Sequence, residues 1–296
     1  MLVKGTSVSF AMLLTMCLVS SGLSEEQRFT TIDVPGASNS GPFGINARGD
    51  IVGDYDTDQH GFLMTQGNFF TIDFPGASST AGRGINAEGD IVGFYCREGV
   101  APQRLCNGTG LHGFLLSKST FTTVDVPGAS STAAYAINPE GDIVGDYSSA
   151  VGPCGAVPGP GCHGFLLSKG TFTTIDVPGA FGTTARGINP KGNIVGFFFD
   201  ATGFHGFLFS KGAFTTIDAP DSLFTVVFSI NPEGSIVGST SAGHGFLLSK
   251  GTFNFFDVPG ASSTIPLGIN PEGNIVGFYF TGPFNTAIFH GFLLSK

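Results

Sequence analysis

The chain has 296 residues, with 22 acidic and 13 basic side chains, a formal charge of −9 and 41% hydrophobic residues. The acidity argues against nucleic acid and anionic membranes as partners, and the length allows one large domain or two ordinary ones. With 46 Gly, 17 Pro and 31 Phe against 12% charged residues and no Trp, the composition suits many short strands joined by tight turns and disfavours long amphipathic helices.

Residues 1–24 differ from the rest. Lys4 precedes the apolar run SFAMLLTMCLV, which small residues bound, and this reads as a secretory signal peptide cleaved after Gly22 or Ser24. An uncleaved anchor is the alternative, although the run is short for a membrane span. The mature domain is therefore expected over residues 25–296, outside the cell or in the periplasm. Loss of Lys4 leaves twelve basic residues against 22 acidic ones, a charge of about −10. The four later cysteines form two close pairs in sequence, Cys96 with Cys106 and Cys154 with Cys162. In an exported chain they read as two disulfides, each within one loop, out of three possible connectivities. Asn107-Gly108-Thr109 is a glycosylation sequon inside the first loop.

A tract of the type FTTID begins at Phe29, Phe69, Phe121, Phe172, Phe214 and Phe253, so the mature chain holds six copies of one repeat. Repeats of roughly 40 to 50 residues with short apolar segments mark propeller blades. Each repeat is read as four strands, typified by residues 185–189, 193–199, 205–209 and 214–219. An Asn-Pro-x-Gly turn joins the first two, because Pro presets one dihedral and Gly accepts a positive one. The copies are cut out of phase: the mature chain opens on a lone fourth strand, residues 29–34, and ends on a lone third strand, residues 290–294. Pairing these two completes a blade and removes two exposed edges. The expected fold is all-β: a six-bladed β-propeller of four-stranded blades, closed by the N-terminal strand.

If Lys169 and Gly170 form a two-residue hairpin turn, His163 faces Asp176 across the ladder. The same offset pairs His60 with Asp73, His112 with Asp125, His205 with Asp218 and His244 with Asp257, and ring closure pairs His290 with Asp33. A pair needed in every blade serves the fold, and nothing nucleophilic recurs beside it. WD-repeat blades use a similar buried His and Asp. The recurring asparagines, such as Asn46 and Asn189, are expected to satisfy turn backbone.

Function is therefore sought where the copies differ. The connections from second to third strand are long in three repeats, two of which carry the cysteine pairs, and they share one end of the ring with the connections from fourth to first strand. Three residues before each recurring Asn stand Phe43, Arg83, Tyr135, Arg186, Phe228 and Leu267. On the innermost strand these would form an aromatic and cationic rim suited to a sugar or a carboxylated small molecule, or would simply pack between blades. Asp54, Asp56 and Asp58 form a DxDxD pattern, but Gln59 stands where a calcium loop needs Gly, so a solvated acidic turn is expected. No HExxH, phosphate loop, GxSxG or free catalytic cysteine occurs, and no metal or cofactor is expected.

With GIN, then G-D/N-I-V-G, then HGFLLSKG recurring, the chain resembles the HAF-repeat family of extracellular bacterial proteins, over nearly all of residues 29–296. Gly here replaces the family's Ala. The resemblance implies a repeat fold and export, and transfers no active residues. The expectation is a monomeric, secreted binding or interaction module. Its ligand would be a glycan, a small polar molecule or another extracellular protein, at the loop-bearing face. The alternatives are a lyase or hydrolase acting on a glycan, and a structural surface component.

Overall fold

A computed structural model describes residues 28–56, 60–97, 110–149, 154, 161–282 and 288–295. The described residues form six four-stranded antiparallel sheets and no helix. The blades span residues 40–72, 79–124, 131–175, 182–217, 225–256 and 263–295, and residues 28–32 join the last of them. The register Arg28↔Ser295 through Ile32↔Gly291 places the N-terminal strand on the outer edge of blade six, so the ring closes as expected.

Blade four is typical, with strands Gly182–Ile188, Ile194–Phe199, Phe204–Ser210 and Ala213–Ile217. Its first strand begins three residues before the expected Ala185. The reason is a β-bulge at Arg186, beyond which pairing continues from Ala185↔Gly196 to Gly182↔Phe199. Every first strand carries this bulge. The unpaired residue is in turn Phe43, Arg83, Tyr135, Arg186, Phe228 and Leu267, the same positions that vary among the copies.

The third and fourth strands keep the expected register, with Ser168↔Thr171 and Leu167↔Phe172 around a turn whose Lys169 and Gly170 have φ of +49° and +79°. Two left-handed residues in succession define a type I′ turn, whose twist matches that of the strands.

The core lies between blades. The Phe of each HGF tract is at most 1% exposed, and the Val of each IVG tract is fully buried. Each core Phe meets the Phe that opens the adjoining fourth strand edge to face, at 5.2 to 5.9 Å between centroids, including Phe292 with Phe29 across the closure. Such a pair adds about 0.5–1.5 kcal/mol beyond the area it buries. The loop entering each first strand is pinned alike: the hydroxyl of Ser40, Thr80, Thr132, Thr183, Thr225 or Thr264 accepts the backbone N–H six residues earlier.

All six His–Asp pairs form, with Nδ1 to carboxylate distances of 2.7 to 3.0 Å. They differ from the buried pair of WD repeats, because their side chains are 20% to 53% exposed. Each pair sits just past the last hydrogen-bonded rung, at the loop-bearing end where the sheet meets solvent. In five blades a Tyr or Phe of the second strand lies against the imidazole, at 5.2 to 5.5 Å between centroids.

The recurring asparagines satisfy their turns as expected, and they also link blades. Asn46 Oδ1 accepts the N–H groups of Arg48 and Asp50, while its Nδ2 donates to the Asn86 carbonyl at 3.2 Å. Asn189 donates in the same way to Asn231, Asn231 to Asn270, and Asn270 to Asn46.

Candidate binding sites

The bulge places one side chain per blade where the first strands converge on the ring axis. A cavity of about 140 Å³ opens there, with Phe43, Arg83, Tyr135, Arg186 and Leu267 among its lining residues. Five of the six asparagines, all but Asn270, form its wall, and Ala47, Ala87 and the Pro after each Asn in three of the other blades, with Pro271 in the last, surround its mouth. Phe228 is not part of the lining and packs on Phe197 instead, at 6.3 Å between centroids. The structure thus gathers five of the six variable residues. Because the cavity extends toward the turns between first and second strands, it lies at the opposite end from the long loops, where a ligand was expected.

The two arginines have different surroundings. Arg83 forms an ion pair with Asp54 of the preceding blade, and both side chains are 9% exposed. Its guanidinium lies 3.6 Å from the Phe43 centroid and 4.7 Å from that of Phe94. Arg186 stacks in the same way on Tyr135 and Phe197, at 3.7 and 5.2 Å. Its carboxylate partner, however, stands 3.9 Å away at Asp146, beyond hydrogen-bond length, and its Nε is buried without a partner. Asp146 instead accepts a hydrogen bond from Thr184 at 2.7 Å and another from Tyr135.

The clusters recur every second blade. The second-strand positions read Asp54, Phe94, Asp146, Phe197, Ser239 and Phe278 around the ring, so the third pair of blades has Ser239 for the Asp and Leu267 for the Arg. Residue-by-residue reading missed Asp54 and Asp146 as partners of the arginines. Comparing the repeats two at a time carries that signal.

Burial raises the Asp146 pKa above 3.8, against the lowering effects of Arg186 and of the hydrogen bonds from Thr184 and Tyr135. Burial likewise pushes the Tyr135 phenol well above its ordinary range. An acid whose pKa is higher in the folded state binds its proton more tightly there. Its contribution to stability is full below the unfolded value of 3.8 and is lost as the pH rises through the folded value. Asp146→Asn should therefore gain stability relative to the wild type as the pH rises from 3.8 toward neutrality, as urea titrations at stepped pH would show. A difference independent of pH would contradict the shift.

At the loop-bearing end a second feature was not foreseen. The fourth-to-first connections read PGAS in four copies, with Ser38, Ser78, Ser130 and Ser262 at the last position, whereas the two that flank blade four carry Phe181 and Leu223. Phe181 is 49% exposed, Leu223 88% and the adjacent Phe224 38%. Between them, the connection from second to third strand of blade four brings Phe199 and Phe204 to 4.9 Å. Phe181 meets Phe199 at 5.9 Å, and Phe224 meets Phe204 at 6.3 Å. The loop that presents Leu223 is anchored: its N–H bonds to Ser241 Oγ at 3.0 Å, and the Ser241 N–H returns to Ser222 Oγ at 3.1 Å.

Of the remaining expectations, the disulfide Cys154–Cys162 is present, with 5.3 Å between Cα atoms. Cys106 and the sequon at Asn107 lie outside the described residues, as do residues 1–27, and with them the expected leader. Asp54 and Asp56 do not converge: Asp54 turns to Arg83, while Asp56 accepts the N–H and hydroxyl of Ser38. Asp58 lies outside the described residues. Among the described residues no group of three or more His, Cys, Asp or Glu is placed to hold a metal, and no helix is long and apolar enough to cross a membrane.

No protein-family profile and no curated protein sequence matches the chain. Solved structures do. Virginiamycin B lyase from Staphylococcus aureus aligns over 90% of this chain and 88% of its own at 11% identity, with a TM-score of 0.51. A streptogramin B lyase aligns over 91% and 98% at 14% identity and a TM-score of 0.50. A protein described as a gluconolactonase aligns over 92% and 93% at 13% identity and a TM-score of 0.54. At these identities the likeness is one of fold, and the chain is a six-bladed β-propeller of four-stranded blades.

Proposed function

We propose that the protein is an exported interaction module that docks an extracellular protein partner through the loop-bearing face of its propeller. The observation that carries this reading is the replacement of a recurrent exposed Ser by Phe181 and Leu223 in the two loops flanking blade four. The other four copies fold with Ser, so the fold does not require apolar groups there. An anchored loop that holds Leu223 88% exposed presents apolar surface that only a partner would cover. A protein suits this surface better than a glycan. Tilted Phe rings and a Leu offer few hydrogen-bonding groups to sugar hydroxyls, and they match aromatic or aliphatic side chains. Asp200 follows Phe199 in the second-to-third connection of blade four and Asp221 lies in the loop of Leu223, and hydrogen bonds from Thr202 hold the Asp200 pKa below 3.8, so it stays ionised. The matching segment would pair an apolar side chain with a Lys or Arg. Resemblance to the HAF-repeat family and the leader expected at residues 1–24 support the same extracellular setting.

Selection of a displayed random-peptide library on the mature protein tests this. Enriched peptides should combine an aromatic or aliphatic residue with a basic one. Leu223→Ser and Phe181→Ser, which restore the residue of the other four copies, should each weaken them by about tenfold or more, the loss typical of a central apolar contact, with little change in melting temperature. Peptides that bind both variants as well as the wild type, or a selection that enriches nothing, would refute the proposal.

A further inference from the structure

We propose that the axial cavity is a second, independent binding site, taking a small monocarboxylate with a short apolar body and using Arg186 as its anchor. This inference does not rest on the docking face, which lies at the other end of the ring. Its first support is the contrast between two otherwise matched clusters. Arg83 is paired directly with Asp54, so its charge is met within the protein. Arg186 occupies the equivalent place two blades on, yet it stands 3.9 Å from Asp146 and keeps a buried Nε with no partner. Asp146 is already occupied by Thr184 and Tyr135, and burial disfavours its charged form. A guanidinium carries five donors in a planar fork suited to a carboxylate, and a buried donor left unmatched costs about 1–3 kcal/mol. The Arg186 side chain is 16% exposed and lines the cavity, so an incoming carboxylate can reach it and supply the charge that Asp146 does not.

The second support is the shape and lining of the cavity. Its volume of about 140 Å³ suits an acid of a few carbons. Beside Arg186 the floor offers the Tyr135 ring and Leu267, and the mouth is edged by Pro139, Pro190, Pro232 and Pro271, an apolar seat for a short alkyl chain. The third two-blade unit has Leu267 in place of a third arginine, which leaves that side of the floor apolar and the site directional. At the outer rim the exposed residues Arg48, Glu88, Glu140, Lys191, Glu233 and Glu272 are net acidic. Weak repulsion there should fade at about 0.1 M salt, so affinity should rise slightly with ionic strength up to that point.

Calorimetric titration of the mature protein with butyrate, butyramide and inorganic phosphate tests the site. Butyrate should saturate at one equivalent, butyramide should bind at least about tenfold more weakly for want of the charge, and phosphate should show no comparable saturation. Arg186→Met should abolish butyrate binding. Leu267→Trp, which fills the cavity without touching the arginine, should do the same and guards against misfolding of the first variant. Equal binding of butyrate and butyramide, phosphate binding as tight as butyrate, retention of binding in a folded variant, or no saturable butyrate signal would each overturn the assignment. Peptide binding at the opposite face should be unaffected by either variant, so the two sites fail or stand separately.

Discussion

Removal of residues 28–34 should leave a protein that unfolds or aggregates on refolding, although it deletes only five paired residues and no part of either candidate site. The reason lies in the closure. Strand 28–32 is the outer strand of blade six, and its register with Phe289–Ser295 holds the last blade to the first turn of the chain. Without it, Phe292, fully buried in the intact ring, loses the edge-to-face ring of Phe29 at 5.9 Å, and His290 loses Asp33. The third strand of blade six becomes an open edge beside exposed apolar surface, a template for pairing with other chains. Five lost rungs and an uncovered Phe together should cost more than about 5 kcal/mol, comparable with the whole stability of a typical domain. A graded control is available: Phe29→Ala, at a half-buried site, should cost about 2 kcal/mol, less than the ~3–5 kcal/mol expected of Phe292→Ala. Light scattering and urea unfolding check the series. A truncated protein that stays monomeric and melts with the wild type would show that the ring does not need the closure.

Gly196→Ala should be the most damaging single methyl addition in blade four. In the IVG tract of each blade the glycine lies where the first strand crosses closest, and a Cβ at Gly196 would strike the carbonyl oxygen of Thr184, with the Phe207 ring behind it. Neither can yield. Thr184 is held in the ladder by its pairing with Phe197, and Phe207 is fully buried. Forcing the strands apart should cost about 3 kcal/mol or more, the upper end of overpacking effects. Gly192, in the neighbouring turn, makes the contrast. It has φ of +72° and open space around it, so its glycine serves backbone conformation alone. Gly192→Asn, which tolerates that conformation, should cost under about 1 kcal/mol. Similar losses at both positions, measured by chemical denaturation, would show that strand separation is not the controlling contact.

Much of the propeller was legible because its instructions are local and repeated. Lys-Gly at Lys169 and Gly170 selects a type I′ turn, and that turn alone fixes which residue faces which, so all six His–Asp pairs follow from one hairpin. The exposure of those pairs was not legible. Register specifies a partner, while burial depends on where the ladder stops and solvent begins. The bulges were hidden for a related reason. An unpaired residue on a strand looks like any other in a string of letters, and only the slip from Ala185↔Gly196 to Gly187↔Val195 reveals that Arg186 is left out of the ladder and free to turn toward the axis.

The candidate sites divide along the same line. Variation among the copies pointed to Phe43, Arg83, Tyr135, Arg186, Phe228 and Leu267 as a group, and it contained the Ser-to-Phe and Ser-to-Leu exchanges at Phe181 and Leu223, whose meaning went unread. By itself the sequence determined the repeat number, the strand order, the closure and the cross-strand register, since each follows from turn chemistry, two-residue periodicity and the phase of the cut. Tertiary structure alone decided which end of the ring the axial cavity opens toward, that Arg83 reaches Asp54 while Arg186 falls short of Asp146, and that Leu223 is held in solvent. Those outcomes depend on how neighbouring blades, roughly forty to fifty residues apart along the chain, are set against one another. Small differences in that setting separate the closed ion pair of Arg83 from the 3.9 Å gap at Arg186, and no pattern within a single repeat encodes them.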